Sequence, residues 1–336
     1  MPGISSLDAP TSERHQMTVY NFPQDLQFGD VDPTFQERHY TYDATPNILR
    51  RNLLHKLQER FCELGFEYII GNINGCFNNK TLAAVLSFQK QSLNSIRRRK
   101  NLFTNEFELV EVSVTFTGTV NGVFDKSTAA EFDLWLQCSY FNSCECPLIK
   151  FEKTWARPEI AQALESAEKA IRMRGGAFPT NFIACFRNPA NVTISTGMKQ
   201  HSVHHTGLAF DYDEWRGMQN PSSDFYFVET TADNEYWRVF VTSISPDVPQ
   251  STHKFVFFDS LKKAYFEHQV TGQFISLTEV FAEHGLKPIK RHANWEREYY
   301  LTEWWHFENT SSMTSWESEM LKIGYTEEFL ARLKYI

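Results

Sequence analysis

The sequence predicts an α+β protein, with a helical N-terminal part and a C-terminal part built on a small antiparallel sheet. Three observations carry this reading. Apolar residues recur at helical spacing within 47–91 and again over 129–135. From Gly176 to about residue 310, short aromatic and β-branched runs alternate with turns, with one helix near 275–284. The length, 336 residues, exceeds what one ordinary core needs and fits roughly two domains.

Residues 1–46 are polar, lack periodicity and carry Pro2, Pro10, Pro23, Pro33 and Pro46, so they read as an extended arm. A helical region is expected over 47–138. Leu53, Leu54, Leu57, Phe61 and Leu64 form a helical stripe, and Gly65 stops it as a C-cap would. Thr81 is placed to N-cap a second helix with Leu82, Val85, Leu86 and Phe88. The turn Asn74-Gly75-Cys76-Phe77-Asn78-Asn79-Lys80-Thr81 is echoed by Asn121-Gly122-Val123-Phe124-Asp125-Lys126-Ser127-Thr128. Each copy precedes an apolar helix, the second bearing Ala129, Ala130, Phe132, Leu134 and Trp135. On the residues alone this is a helical hairpin using one turn twice, compatible with any function. Between the copies, Arg97-Arg98-Arg99-Lys100 reads as a solvated loop and Leu109–Phe116 as a strand. Residues 139–157 read as a linker. A helix starts at Pro158 and ends at Gly175-Gly176, and another closes the chain within 312–336.

Composition excludes several classes. Lys+Arg 33 against Asp+Glu 41 gives a net charge of −8, a poor match for nucleic acid, which needs a basic field. Charged residues at 22% are a globular value and exclude wholesale disorder. No run reaches the ~18 apolar residues of a membrane span. The N-terminus shows no basic segment followed by an apolar one, so no Sec-type leader is expected. Of the six cysteines, Cys144 and Cys146 lack a partnering pair, so disulfides or buried thiols are expected rather than a zinc knob.

The stretch Leu57-Gln58 … Leu64-Gly65-Phe66 … Asn74-Gly75-x-Phe77 … Thr81-x-x-Ala84-Val85-x-x-Phe88-Gln89 resembles the peptidoglycan-binding domain of cell-wall hydrolases. Val120-Asn121-Gly122-Val123-Phe124 … Thr128 resembles that domain's second half, which makes 92–117 an insertion. The resemblance implies peptidoglycan as a partner.

The chemistry concentrates in two segments. His201-Ser202-Val203-His204-His205-Thr206-Gly207-Leu208-Ala209-Phe210-Asp211-Tyr212-Asp213 holds three imidazoles and two carboxylates, and Glu303-Trp304-Trp305-His306-Phe307-Glu308 follows about 90 residues later. Two His and an Asp are a set zinc accepts, with carboxylates to spare for proton transfer. Taken singly, each has a plainer reading: a His among aromatics as a hydrogen-bonded core residue, Asp211 and Asp213 as the polar face of a strand.

Jointly they resemble the LAS metallopeptidases, named for lysostaphin, the D-Ala-D-Ala peptidases and sonic hedgehog. Ser202-x-His204-x-x-Gly207-x-Ala209-x-Asp211 matches the first motif of that family, Glu303-Trp304-Trp305-His306-Phe307 the second, and Phe186-Arg187-Asn188-Pro189 an upstream segment. The resemblance spans roughly 155–310, and the domain is taken as 158–336. It implies a Zn2+ cofactor on His204, Asp211 and His306, with Glu303 as general base and then acid. It implies Arg187 as the cation at the scissile carbonyl or a substrate carboxylate, with Ser202 and Asp213 in supporting places. His201, His205 and Glu308 receive no role. Tyr299–Phe307 reads as a strand by aromatic content. In a regular strand Glu303 would face away from His306 and Glu308 would share its side. Glu303 therefore requires a bulge or turn just before His306, and we assign the base to Glu303.

The expectation is a peptidoglycan hydrolase cutting stem-peptide bonds, as D,D-carboxypeptidase, dipeptidase or endopeptidase. It would work in the periplasm or cell wall, as a phage lysin or an effector passed through secretion machinery, with an immunity protein as a further partner. The alternative is a non-catalytic wall-binding or structural part of a phage tail or contractile injection machine. Residues between 213 and 303 are expected to add strands or a lid.

Overall fold

The computed structural model describes residues 25–32, 47–48, 52–101, 103–191 and 201–336. Most of the arm expected at 1–46 lies outside them. Its described part is packed: β1 (Asp30–Val31) pairs in parallel with β2 (Asn47–Ile48), and the buried Asp32 carboxylate accepts hydrogen bonds from Leu54 N (3.0 Å) and His55 N (2.8 Å). Asp32 thereby satisfies free N–H groups at the start of α1 (Leu53–Glu63), which Asn52 does not cap with its side chain.

Helices α1, α2 (Glu67–Ile70), α3 (Asn79–Ser92) and α4 (Lys126–Gln137) enclose the first core, with Phe61, Phe88, Phe124, Phe132 and Trp135 at its centre. The doubled turn has a physical cause. Gln58 of α1 is fully buried; its Nε2 donates to Asn74 Oδ1, Cys76 O and Thr81 Oγ1, and its Oε1 accepts from Asn74 N and Gly75 N. Gln89 of α3 does the same to the second copy. Its Nε2 donates to Asn121 Oδ1, Val123 O and Thr128 Oγ1, and its Oε1 accepts from Asn121 N and Gly122 N. Each turn's polar groups are thus satisfied by one buried amide from the preceding helix. Asn78 and Asp125, rather than Thr81, cap the helices that follow.

The basic run is a strand and not a solvated loop. In β3 (Ile96–Lys100), antiparallel to β4 (Phe107–Glu111), Arg97 is buried against Glu131 at 2.6 Å and beneath Trp135. Arg98 lies over the Phe107 ring and Arg99 pairs with Glu108. The expected strand 109–116 therefore stops at Glu111, with its partner in the cations themselves. The segment 139–157 contains β5 (Tyr140–Phe141), which extends the β3–β4 sheet, and the hairpin β6 (Ile149–Phe151) with β7 (Thr154–Ala156). All six cysteines are unpaired; burial pushes the Cys62 and Cys144 thiols up to about 11.

The second core begins with α5 (Pro158–Met173), whose face Ile160, Leu164, Ala167 and Ile171 is fully buried. It continues through β8 (Ala209–Asp211), β9 (Tyr226–Thr230), β10 (Trp237–Thr242), β11 (Gln250–Asp259), β12 (Ala264–Ser276), α6 (Leu277–Glu283), β13 (Lys287–Pro288) and β14 (His306–Glu308). The long stretch between the two chemical segments forms its own antiparallel sheet in the order β11-β12-β10-β9. A separate three-stranded antiparallel sheet, β13-β14-β8, carries the site. The fold is mixed α+β. No helix among the described residues is long and apolar enough to cross a membrane.

The single closing helix is instead two, α7 (Trp316–Lys322) and α8 (Glu327–Arg332), because Thr326 caps a fresh start at Phe329 N. Met320, Ile323, Phe329, Leu330 and Leu333 enter the first core, not the second. The two cores are therefore joined by chemistry as well as by chain. Arg157 at the start of α5 donates to Thr206 O (3.1 Å) and pairs with buried Glu319 of α7 (2.5 Å).

Candidate functional site

The site forms where β8 and β14 lie side by side. His306 stands opposite Asp211 and Phe307 opposite Phe210. Alternation sends the two phenyl rings, 5.7 Å apart and stacked, into the second core, and leaves His306 and Asp211 on the other face. His204 arrives from the 3-10 turn Val203–Thr206, closed by Gly207 at φ +73. That left-handed residue also lies against Arg157 and Leu148: a Cβ there would fall 2.8 Å from Leu148 Cδ2, so any other residue would hold a strained backbone and displace that side chain.

His204 Nε2, His306 Nδ1 and the Asp211 carboxylate converge. The separations are 3.1 Å between the rings, 3.0 Å from His306 Nδ1 to Asp211 Oδ1, and 3.2 Å from His204 Nε2 to Asp211 Oδ2. Ligands about 2.1 Å from a tetrahedral ion stand roughly 3.4 Å apart, so this spacing suits a small cation at the centre. Among the described residues it is the one such group of three or more His, Cys, Asp or Glu. His204 is only 2% exposed, and its Nδ1 lies 2.7 Å from Cys185 O. A carbonyl can only accept, so Nδ1 carries the proton and the Nε2 lone pair faces the cluster. His306 Nε2 is 3.5 Å from Glu308 Oε2, a carboxylate that orients the second ring in the same manner.

The electrostatics ask for a positive charge. Burial opposes the Asp211 carboxylate, but the neighbouring His204 and His306 outweigh it and hold Asp211 well below the usual carboxylate range. Burial alone would lower His306; its bonds to Asp211 and Glu308 prevail and raise it to about 9. A proton on His306 thus serves as the cation when no metal ion is there.

Of the residues read from sequence, His204, Asp211 and His306 meet, and Arg187 joins them through an ion pair with Asp211. Arg187 is held beside the cluster because its N–H donates to His204 O (3.2 Å) while Ala184 and Asp211 exchange backbone hydrogen bonds. Glu303 stands in a turn closed by His306 N donating to Glu303 O at 3.1 Å. The strand expected over 299–307 is a 3-10 turn at Tyr299–Leu301 followed by this turn, and only His306–Glu308 is extended. Glu303 is exposed and has φ +45, a left-handed backbone that a non-glycine residue holds at a cost. Ser202 contributes its carbonyl, which accepts from Trp316 Nε1 and His205 N. Asp213 is turned aside: its carboxylate caps Trp215 N. His201 stacks on Trp316 and its Nε2 meets Tyr335 O, so it holds the last turn of the chain.

Two contributors have no sequence signature of their own. The Cys185 carbonyl is backbone. Glu214 is half-buried near the cluster, and its carboxyl is raised by burial and then by the charge of Asp211; only its place directly after Asp213 hinted at it. No family model, no curated protein and no solved structure matches this chain.

Proposed function

We propose that the chain is a zinc-dependent peptidase that cuts stem-peptide bonds of peptidoglycan. The observation that carries the reading is the convergence of His204 Nε2, Asp211 and His306 Nδ1, with His204 Nδ1 committed to the Cys185 carbonyl. These residues would hold the ion, and a zinc there supplies a water of lowered pKa and a Lewis acid for the carbonyl. Glu303, on its strained turn at the rim, takes a proton from the attacking water and returns it to the leaving amine. Arg187 sets a guanidinium beside Asp211, where it can meet oxyanion charge as it develops. Trp304 and Trp305, the two residues after Glu303, are buried and anchor the turn in the second core. The wall-binding part of the reading rests on the sequence resemblance of 47–138.

The test is incubation of purified sacculi with zinc-loaded protein, with and without chelator, and mass spectrometry of what is released. Chelator-sensitive release of peptide fragments is expected. Absence of release by protein of full zinc content would refute the reading, and retention on sacculi without release would mark a non-catalytic wall-binding part.

A further inference from the structure

Beside Arg187 the seam between the two cores opens into a cavity of about 460 Å³, within the usual ~300–1,000 Å³ of small-ligand pockets. Tyr68 and Lys80 come from the helices of the first core, Trp155 and Phe186 pack against that core from later in the chain, and Arg187 reaches the cavity from its ion pair with Asp211. The rings of Tyr68, Trp155 and Phe186 give it an aromatic side.

The lining residues include Lys80 and Arg187 and no carboxylate. Arg187 already faces Asp211, but Lys80 has no carboxylate partner among the described residues, although it is partly buried. Burial alone pulls its ammonium below the ordinary lysine value. Its Nζ lies across Gly71, where an added Cβ would stand 3.3 Å away at φ +63. A glycine is thus what lets the ammonium lie against the backbone at this wall. His205 supplies a second, independent sign. It is 6% exposed, it lines the same cavity, and its Nδ1 is buried with no hydrogen-bond partner among the described residues. An unpaired cation lining an aromatic-walled space, with a buried, unsatisfied ring nitrogen on a residue of its wall, is the complement of an anionic, partly apolar ligand.

We infer that this cavity binds a carboxylate of the peptide substrate on Lys80, so that the helical part of the chain supplies a substrate-binding residue to the metal-bearing half. The inference rests on the peptidase reading for the identity of the ligand. It makes the N-terminal core part of the specificity pocket, with Lys80 selecting acidic stem peptides over their amidated forms.

The experiment is calorimetric binding to full-length, zinc-loaded Glu303→Ala. The probes are the stem pentapeptide L-Ala-γ-D-Glu-L-Lys-D-Ala-D-Ala and the same peptide with both carboxylates converted to carboxamides. The acid should bind about 10- to 100-fold more tightly than the amide, the range of one charge-assisted hydrogen bond. Adding Lys80→Met, which keeps the aliphatic stem, should abolish that preference by weakening the acid alone, and Lys80→Arg should restore it. Equal binding of acid and amide by the parent, no binding of either, or an unchanged preference in Lys80→Met would each overturn the proposal. Sacculus digestion by the chain with Glu303 intact separates the two readings. Zinc-dependent release with a KM that Lys80→Met leaves unmoved sinks this inference only. Acid-selective binding that Lys80→Met abolishes, without any release, sinks the peptidase reading and leaves the pocket standing.

Discussion

Replacing Glu303 separates chemistry from strain. At φ +45 its backbone is left-handed, which costs a residue with a Cβ roughly 1–2 kcal/mol relative to glycine. Glycine gives back about 0.5–1 kcal/mol through the freedom of the unfolded chain. Glu303→Gly should therefore be more stable than Glu303→Ala by on the order of 1 kcal/mol, or roughly 1–2 °C in a chain of this size. Both variants lose the carboxylate. Both should keep zinc, since Glu303 is not one of the three residues that converge, and both should lose about 10²- to 10⁴-fold in peptide release. Glu308→Ala removes the group 3.5 Å from His306 Nε2 and should act through the metal, weakening zinc about 10- to 100-fold. The assay is muropeptide release from sacculi, with elemental zinc and thermal melting measured on the same samples. Full activity in Glu303→Ala at full zinc occupancy would refute the assignment. The carboxylates to examine next would be Glu308 and Glu214, which already feels the charge of Asp211.

His204→Ala should lose most bound zinc by elemental analysis of metal-loaded protein, and retention of a full equivalent would show the ligand set to be wrong. Because His306 without metal is protonated up to about pH 9, zinc must displace that proton below this value. Affinity should accordingly fall about tenfold per pH unit as the solution is acidified from there, with one proton released per zinc in calorimetry across buffers; no release at pH 7 would contradict the site's electrostatics. Gln89→Leu leaves the buried Gly122 N–H and the Thr128 hydroxyl without Gln89, and should cost about 2–4 kcal/mol in urea unfolding. An equally stable variant would mean that the doubled turn does not depend on its glutamine.

That His204, Asp211 and His306 converge was legible because they sit in two short segments rich in the few donor kinds a small cation accepts. Strand parity placed Glu308 beside His306, as β14 has it, and also demanded the turn that Glu303 occupies. The aromatic run before it misled for a physical reason. Tyr299, Trp304 and Trp305 are packing residues with polar tips, not strand formers. Tyr299 Oη donates to Gly217 O at 2.7 Å and Trp304 Nε1 to Tyr299 Oη at 3.3 Å, which ties a compact turn to the loop after β8. Gln58 and Gln89 stand in the stretch that carries the resemblance, but their burial was equally hidden. A glutamine in an amphipathic helix reads as a surface residue, and its burial shows only when the turn it satisfies folds over it. The cations of β3 were misread because charge suggests solvent until Glu131 and Trp135 are brought against Arg97.

Position along the chain also concealed how the helical part holds the His-Asp-His cluster in place. Phe186, Arg187 and Asn188 are consecutive, and each faces a different structure. The Phe186 ring packs edge-on to Tyr68 of α2. The Arg187 backbone holds His204 and its guanidinium meets Asp211. Asn188 is buried; its Nδ2 donates to Tyr68 O and Ile69 O, and its Oδ1 accepts from Tyr325 Oη. The residues on both sides of the arginine are thus anchored in the first core, at the C-terminal turn of a helix whose carbonyls would otherwise lack partners. A guanidinium serves a developing charge only if it is held in place beforehand. In this chain the holding is done by α2 and by the turn between α7 and α8, so the N-terminal core is scaffolding for the site as well as a candidate tether to the wall.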